Sequence, residues 1–280
     1  MKKAQYGLIT TIFFILIFIV ATWGSCAGLL EIHFIDVGQA DSIVIRSPSG
    51  ETILVDAASM SSAYRVKNYL QKLGISTIEG VIITHMHPDH VGGVFCILPE
   101  FRVKTIYDNG MILAGNVFWE EYHSILRNLG IKREILLGGS HLTYGVLKIQ
   151  VLSPFKPLAG DLNTDSIVTR VCYGNTAFLL AADLTKAGEN RLLSTKENIQ
   201  SQVLKVGHHG ACDATSDRFL ERVKPTIAVI TVGEKNRWGH PCPETLKKLK
   251  TKGIQIFRTD TSGTVIIRSD GKRITVATDQ

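Results

Sequence analysis

Residues 7–30 contain no charged side chain, and Lys2 and Lys3 precede them. An uncharged run of that length, almost wholly aliphatic or aromatic from Ile9 to Val20, excludes an ordinary water-facing segment. It reads as a secretory signal or a membrane anchor with its basic flank inside. The run is long enough to span a bilayer, which favours a retained anchor. Cys26 after Trp23-Gly24-Ser25 adds a lipidated cysteine as a third option, although Trp23 stands where a small aliphatic residue is expected. All three options place the rest of the chain on the extracellular side of the cytoplasmic membrane, anchored or secreted. Cysteine is scarce as well. Cys96, Cys172, Cys212 and Cys242 show no metal-knuckle or redox spacing, which excludes those motifs. They could pair in an exported domain, and a Cys212–Cys242 bridge is one such pairing, since each sits near a candidate active-site histidine. No internal repeat and no linker marks a second folded unit. Residues 1–28 are thus expected to be signal or anchor and 29–280 one domain, large enough at 45% hydrophobic composition for a full core.

From Leu29 onward the pattern is one of short strands bounded by glycine and loop residues, with helices between them. Strands are predicted over Leu30–Asp36, Asp41–Arg46, Glu51–Asp56, Ile78–Thr84, Thr105–Tyr107, Ser140–Tyr144, Val146–Leu152, Ser166–Tyr173, Thr176–Ala181, Val203–Val206, Ile227–Thr231, Gln255–Arg258, Gly263–Arg268 and Lys272–Val276. Helices are predicted over Ser61–Leu73, Val117–Leu129, Gly188–Leu193, Ser216–Arg222 and Pro243–Lys252. Hairpins at both ends with strand–helix alternation between them predict an α/β fold of two mixed sheets face to face, helices outside.

The densest chemistry lies at Thr84-His85-Met86-His87-Pro88-Asp89-His90. Imidazole and carboxylate are the ligands of zinc and of the harder manganese. His85 and His87, two apart on an extended tip, point the same way. Asp89 and His90 follow after the turn at Pro88, so the segment offers one pair of ligands to each of two metal ions. Three other sites fall just past predicted strands. Asp183 ends the hydrophobic run Phe178–Ala182, where a carboxylate is costly unless paired or metal-bound, and it can bridge two ions. Of the adjacent His208 and His209, one is expected on metal and the other on substrate or a supporting carboxylate, with His208 favoured as ligand. The donor-rich loop Gly233–Pro241 offers Asn236, Arg237 and His240 to substrate. Asp36 and Asp41 are candidates to fix the tautomer of a metal-bound imidazole. Asn163, Asp165 and Ser166 are candidates to contact substrate or a metal-bound water.

Phe34-Ile35-Asp36-Val37-Gly38-Gln39-Ala40-Asp41, the histidine cluster, Asp183, Lys205-Val206-Gly207-His208-His209-Gly210 and the 236–241 loop together resemble the metallo-beta-lactamase superfamily. Within it they are similar to the hydrolase domain that ends the ComEC competence proteins, as is Thr259-Asp260-Thr261-Ser262-Gly263-Thr264. The resemblance covers roughly residues 30–280. It implies an αββα sandwich and two divalent ions, Zn2+ or Mn2+. The implied ligands are His85 and His87 on one ion, Asp89, His90 and His208 on the other, and Asp183 between them. The chain departs from the family by lacking a further histidine before Asp183, for His141 comes too early. Asn163-Thr164-Asp165-Ser166 stands near that place, so the first site is one ligand short unless Asp165 or water completes it.

The implied activity is that of a hydrolase using a metal-activated hydroxide, most naturally a phosphodiesterase or nuclease acting on DNA. Asp89 is then expected to orient the attacking oxygen, His209 or His240 to serve the leaving oxygen, and Lys205 and Arg237 to meet charge on phosphate. Residues 218–258 carry ten Lys or Arg against three acids, which suits DNA or another polyanionic diester. A cell-envelope phosphodiester, a beta-lactam, or a non-catalytic membrane-tethered DNA-binding role in competence are the competing expectations. A monomer is expected.

Overall fold

Strands buried on both faces need apolar runs without polar alternation. The chain places such runs in two blocks. The computed structural model describes residues 28–279, so the expected signal or anchor lies, apart from Gly28, outside the described residues. Among these, no helix is long and apolar enough to cross a membrane. The first half runs β1 (Leu30–Phe34), β2 (Ile43–Arg46), β3 (Thr52–Val55), α1 (Ala63–Lys72), β4 (Thr77–Ile82), α2 (Pro88–Val91), α3 (Val94–Ile97), β5 (Arg102–Asp108), α4 (Val117–Leu129) and β6 (Lys132–Ile135). The second runs β7 (His141–Tyr144), β8 (Leu147–Ser153), β9 (Val168–Tyr173), β10 (Thr176–Leu180), α5 (Lys186–Leu193), β11 (Val203–Lys205), α6 (Asp217–Val223), β12 (Ile227–Ile230), α7 (Pro243–Thr251), β13 (Gln255–Arg258), α8 (Thr259–Ser262), β14 (Val265–Ser269) and β15 (Ile274–Thr278).

The sheets have the orders β15-β14-β1-β2-β3-β4-β5-β6 and β13-β12-β11-β10-β9-β8-β7. The final hairpin returns to the first sheet, where Ile32 of β1 faces Ile267 of β14. Ile32, Phe34, Ile45, Phe178 and Val203 fill the space between the sheets. A second core lies between the first sheet and α1–α4, around Val66, Leu70 and Tyr122, and a third under α5–α7, around Phe219, Leu220 and Leu249. This is the expected two-sheet sandwich with helices outside. Local signals end several helices where the chain must turn. Asn116 caps α4 by accepting from the Trp119 amide, and Gly130 closes it in the left-handed conformation. Ser216 caps α6 in the same way.

Four elements were not expected: β6, α2, α3 and α8. β6, Lys-Arg-Glu-Ile in sequence, carries no strand pattern and becomes a strand only by pairing parallel with β5. The turn after the histidine cluster is helical, with Pro88 at its start, where proline loses no hydrogen bond. Both sheets contain a parallel block, β3 to β6 and β10 to β13. Ligand-bearing loops gather at the carboxyl ends of such strands. Here both blocks deliver those ends to one edge of the sandwich.

Candidate metal centre

β4 runs out at Ile82, and the chain beyond it is held by a carboxylate at the end of its neighbour. Asp56, just past β3, accepts from the Thr84 amide and hydroxyl, both at 2.8 Å. With its proton committed to Asp56, the Thr84 hydroxyl presents a lone pair to His85 Nδ1 at 3.1 Å. Ser166 Oγ lies 3.4 Å from the same nitrogen. That assigns the proton of His85 to Nδ1 and leaves Nε2 as a lone pair. Nε2 lies 2.9 Å from Nδ1 of His87, somewhat closer than the roughly 3.3 Å separating two imidazole ligands of one tetrahedral ion. Burial, then the neighbouring His90, holds His85 well below the usual histidine range; burial also lowers His87. Both are therefore neutral, as ligands must be.

The second group forms where α2 turns back onto the end of β3. His90 accepts the Ala57 amide on its carbonyl at 2.7 Å, and the Gly93 amide donates to Ala58 at 2.9 Å. A Cβ on Gly93 would lie 1.8 Å from the Ala57 oxygen, so only glycine permits this approach. His90 is fully buried, with Nδ1 2.8 Å from Asp56 and Nε2 3.2 Å from Asp183. His209 donates from Nδ1 to the Thr231 carbonyl at 2.8 Å, which aims Nε2 at Asp89 and Asp183, 3.5 Å from each. Asp89, His90, Asp183 and His209 thus present four donor atoms within 4.8 Å of one another. His90 Nε2 and His209 Nε2 are buried without hydrogen-bond partners, both facing Oδ2 of Asp183. Orphaned acceptors converging on one point fit a cation. Behind them Asp41 pairs with the fully buried Lys205 and lies 3.5 Å from His209. Four buried or half-buried carboxylates (Asp41, Asp56, Asp89, Asp183) face a single lysine, an excess of negative charge that suits divalent cations.

The same excess sets the local protonation. Burial works against charge on His90 and His209, yet Asp183 with Asp56 or Asp41 raises both. Burial likewise opposes ionisation of Asp89 and Asp183, and the surrounding histidines more than offset it, with Lys205 contributing at Asp183. Imidazolium protons and metal ions compete for one negative pocket. The backbone carries strain here too: Asp56, Ala58, Ala182, His208 and His209 have φ between 47° and 65°, left-handed values that cost non-glycine residues on the order of 1–3 kcal/mol each.

Several expected roles are redistributed. His209, rather than the favoured His208, joins the ligand group. His208 is 24% exposed, with Nε2 3.9 Å from Asp183 and Nδ1 on Asp213. The two consecutive left-handed residues rotate the pair so that the second ring points inward. Both candidates for serving a leaving group line the cavity, but His209 is 2% exposed, with Nδ1 tied to Thr231 and Nε2 turned to Asp89 and Asp183. His240 is half-buried and the better placed of the two to meet substrate. Lys205 is fully buried, donating to the Ala182 carbonyl at 2.8 Å and to Asp41, and cannot reach substrate. Asp165 is fully buried and spent on Ala159, Gly160 and Arg191. Asn236 knits its own loop by bonding Gly233 and His240. Ser166 backs His85 and does not face the cavity. Asp36 accepts from Gly38 and pairs with Arg65, away from the imidazoles; Asp41 and the unanticipated Asp56 support them. Asp56 ends a hydrophobic strand as Asp183 does, and that signal was available in the sequence.

A cavity of about 210 Å³ opens over the group, lined by His87, Asp89, Asp183, His208, His240 and Trp238 among others. Arg237 stacks 4.6 Å from the half-exposed Trp238 ring. Of the possible cysteine pairings, Cys212–Cys242 is the one formed, joining the loop after His209 to the segment after His240.

The family model described as "Metallo-beta-lactamase superfamily" matches residues 35–234. Among curated proteins, the chain is 31% identical over 258 residues to ComE operon protein 3 of Bacillus subtilis (85% of the chain, 33% of that protein). It is 29% identical over 230 residues to competence protein ComA of Neisseria gonorrhoeae (81% and 30%). The chain therefore spans about a third of the length of these relatives. Its fold is similar to that of the metallo-beta-lactamase fold protein YhfI from Bacillus subtilis, with TM-score 0.57 and 13% identity over 86% of this chain and all of that one.

Proposed function

Because the chain belongs to the metallo-beta-lactamase superfamily and is a metal-dependent hydrolase, we propose that it is an extracytoplasmic phosphodiesterase whose substrate is DNA. The observation that carries this reading is similarity, across more than four-fifths of the chain, to ComE operon protein 3 and to a protein named for competence. In this reading the domain is similar to the hydrolase part of such proteins. The Cys212–Cys242 bridge supports an oxidising location, in keeping with the uncharged N-terminal run.

His85 and His87 would hold one ion and Asp89, His90 and His209 the other, with Asp183 shared. Divalent ions bound there polarise a phosphoryl oxygen and acidify water. The chain's own groups do the rest. Asp89, 31% exposed, is the carboxylate of the group nearest the open cavity, and it orients the attacking oxygen. His240 is kept neutral by burial and by the neighbouring His208 and His209. It donates a hydrogen bond to a non-bridging oxygen and is a poor proton donor at neutral pH. Trp238 and Arg237 at the mouth provide a stacking surface and a cation, the pair that single-stranded nucleic acid uses.

The test is cleavage of labelled single- and double-stranded DNA with Mn2+ or Zn2+, beside bis-p-nitrophenyl phosphate, with His87→Ala and Asp183→Ala as controls. Wild-type cleavage of DNA that both variants lose by at least a hundredfold is expected. Cleavage of the small diester alone turns the assignment toward envelope phosphodiesters. Equal behaviour of wild type and variants on every substrate ends the hydrolase reading and leaves the non-catalytic one.

A further inference from the structure

Among the described residues only two aromatic side chains are more than half exposed, Tyr64 at 55% and Trp238 at 54%. A single exposed ring is ordinary, but these two share a setting. Each has an arginine as its neighbour in sequence, and each arginine approaches its ring. Arg237 lies 4.6 Å over Trp238, and Arg65 donates from Nε to the Tyr64 hydroxyl at 3.4 Å.

The loop over residues 36–41 connects the two pairs. Gln39 lines the metal cavity and accepts the Gly233 amide on Oε1 at 3.1 Å, which ties in the loop that carries Arg237 and Trp238. On the other flank, Arg65 Nη1 donates to the Asp36 carbonyl at 3.3 Å and pairs with the Asp36 carboxylate at 3.6 Å. The Ala58 amide donates to the Asp41 carbonyl at 2.8 Å, and the Asp41 amide to the Asp89 carbonyl at 3.2 Å. A Cβ on Gly92 would lie 2.7 Å from the Met60 nitrogen, so the approach to α1 packs on the end of α2. Pro88 and Asp89 of α2 line the cavity as well. Tyr64, in the first turn of α1, therefore stands on one flank of the cavity mouth and Trp238 on the other.

Both arginines keep charge to offer. Arg65 is 44% exposed and its Nη2 has no partner among the described residues. Arg237 meets no carboxylate among them. The wall at His208 has the opposite character. Asp213 holds His208 Nδ1 at 3.0 Å, Asn163 lies 3.4 Å from its Nε2, and Asp161 and Asp213 line one depression beyond it. A polyanion is repelled there and attracted to the rim at Gln39. A ring beside a guanidinium meets a base face and a phosphate together. In a duplex those faces are covered by stacking; in a single strand they are open.

We propose that Tyr64 and Arg65 form a second nucleotide subsite, paired with Arg237 and Trp238, so that a single strand of DNA lies across Gln39 with one diester over the metal centre. This rests on the phosphodiesterase reading and narrows its substrate to the single-stranded form. Stacking tolerates any base, so the subsite selects for strandedness and not for sequence.

The test is Mn2+-dependent cleavage by the full chain of a labelled oligothymidylate, of a duplex of the same length, and of bis-p-nitrophenyl phosphate. Tyr64→Ala should raise KM for the oligothymidylate about tenfold more than for the small diester or the duplex. Tyr64→Phe, which keeps the stacking face, should restore the wild-type KM, and Arg65→Gln should flatten the salt dependence of that KM. A wild-type oligothymidylate KM in Tyr64→Ala overturns the subsite and leaves the phosphodiesterase reading standing. An equal loss on all three substrates overturns it too, since Tyr64 then acts through the fold. A wild type that cleaves the small diester and neither DNA ends the DNA reading itself.

Discussion

Single side chains at this edge are set by what they are buried against, and His33 shows the effect away from the metal centre. It sits on β1 with 2% exposure, its Nδ1 2.8 Å from the Tyr69 hydroxyl and its Nε2 3.5 Å from Glu31. Burial pushes its pKa down to about 4, although Glu31 pulls the other way. The folded state thus binds fewer protons than the unfolded chain between the unperturbed value of about 6.5 and pH 4. Its contribution is intact above pH 6.5 and is lost as pH falls through that window, amounting to about 2 kcal/mol at pH 5 by linkage. Urea unfolding at pH 7 and pH 5 should show that difference in wild type and most of it missing in His33→Gln; equal pH dependence in both would assign the acid sensitivity elsewhere. The same scale shows what the sequence made legible. Three imidazoles and a carboxylate within six residues announce metal ligation whatever the fold. The choice between His208 and His209 was not legible, because it depends on two consecutive left-handed residues at φ 47° and 51°, and no glycine marks them. Asp165 and Lys205 misled for a related reason: a polar residue at a strand end looks alike whether it faces a cavity or is consumed by a buried partner.

At the scale of elements, strand and helix order was legible because most elements are buried and follow a simple apolar period. β6 was not, since its charged residues belong to an edge that only pairing with β5 defines. The disulfide acts at this level. It closes a loop of 30 residues by sequence separation and ties the chain after His209 to the start of α7, where the Cys242 amide also donates to the Gly210 carbonyl at 2.9 Å. Loop-closure entropy puts the bridge at about 3–4 kcal/mol, and a domain of this size responds by roughly 2–4 °C per kcal/mol. Cys212→Ser/Cys242→Ser should lower Tm by about 6–15 °C and raise KM severalfold, because His240 and Trp238 lose their tether. Metal stoichiometry should stay at the wild-type value, since no ligand lies on the released side of Gly210. A variant with unchanged Tm and KM in scanning calorimetry and diester assays would show that packing alone holds the loop.

At the scale of the molecule, the proposed DNA substrate would be held by charge. The excess of lysine and arginine over residues 218–258 resolves into spent and free groups. Lys252 faces Asp217 and Glu221 at 3.5 Å, Lys248 donates to the Ala214 and Thr215 carbonyls, and Arg258 pairs with Asp260. Exposed Lys247 and Lys250 lie on α7, the helix that starts at the rim of the metal cavity beside His240 and Pro241. A polyanion crossing that rim meets them, whereas a small diester inside the cavity does not. Each phosphate contact contributes about 0.7–0.9 to the slope of log K against log salt. Lys247→Glu/Lys250→Glu should therefore weaken DNA binding, flatten its salt dependence by roughly 1.4–1.8, and leave hydrolysis of bis-p-nitrophenyl phosphate unchanged. Fluorescence anisotropy across a salt series, run beside the small-diester assay, measures both. An unaltered slope would remove α7 from the proposed DNA path and leave Arg237 and Trp238 as candidate contacts at the cavity mouth.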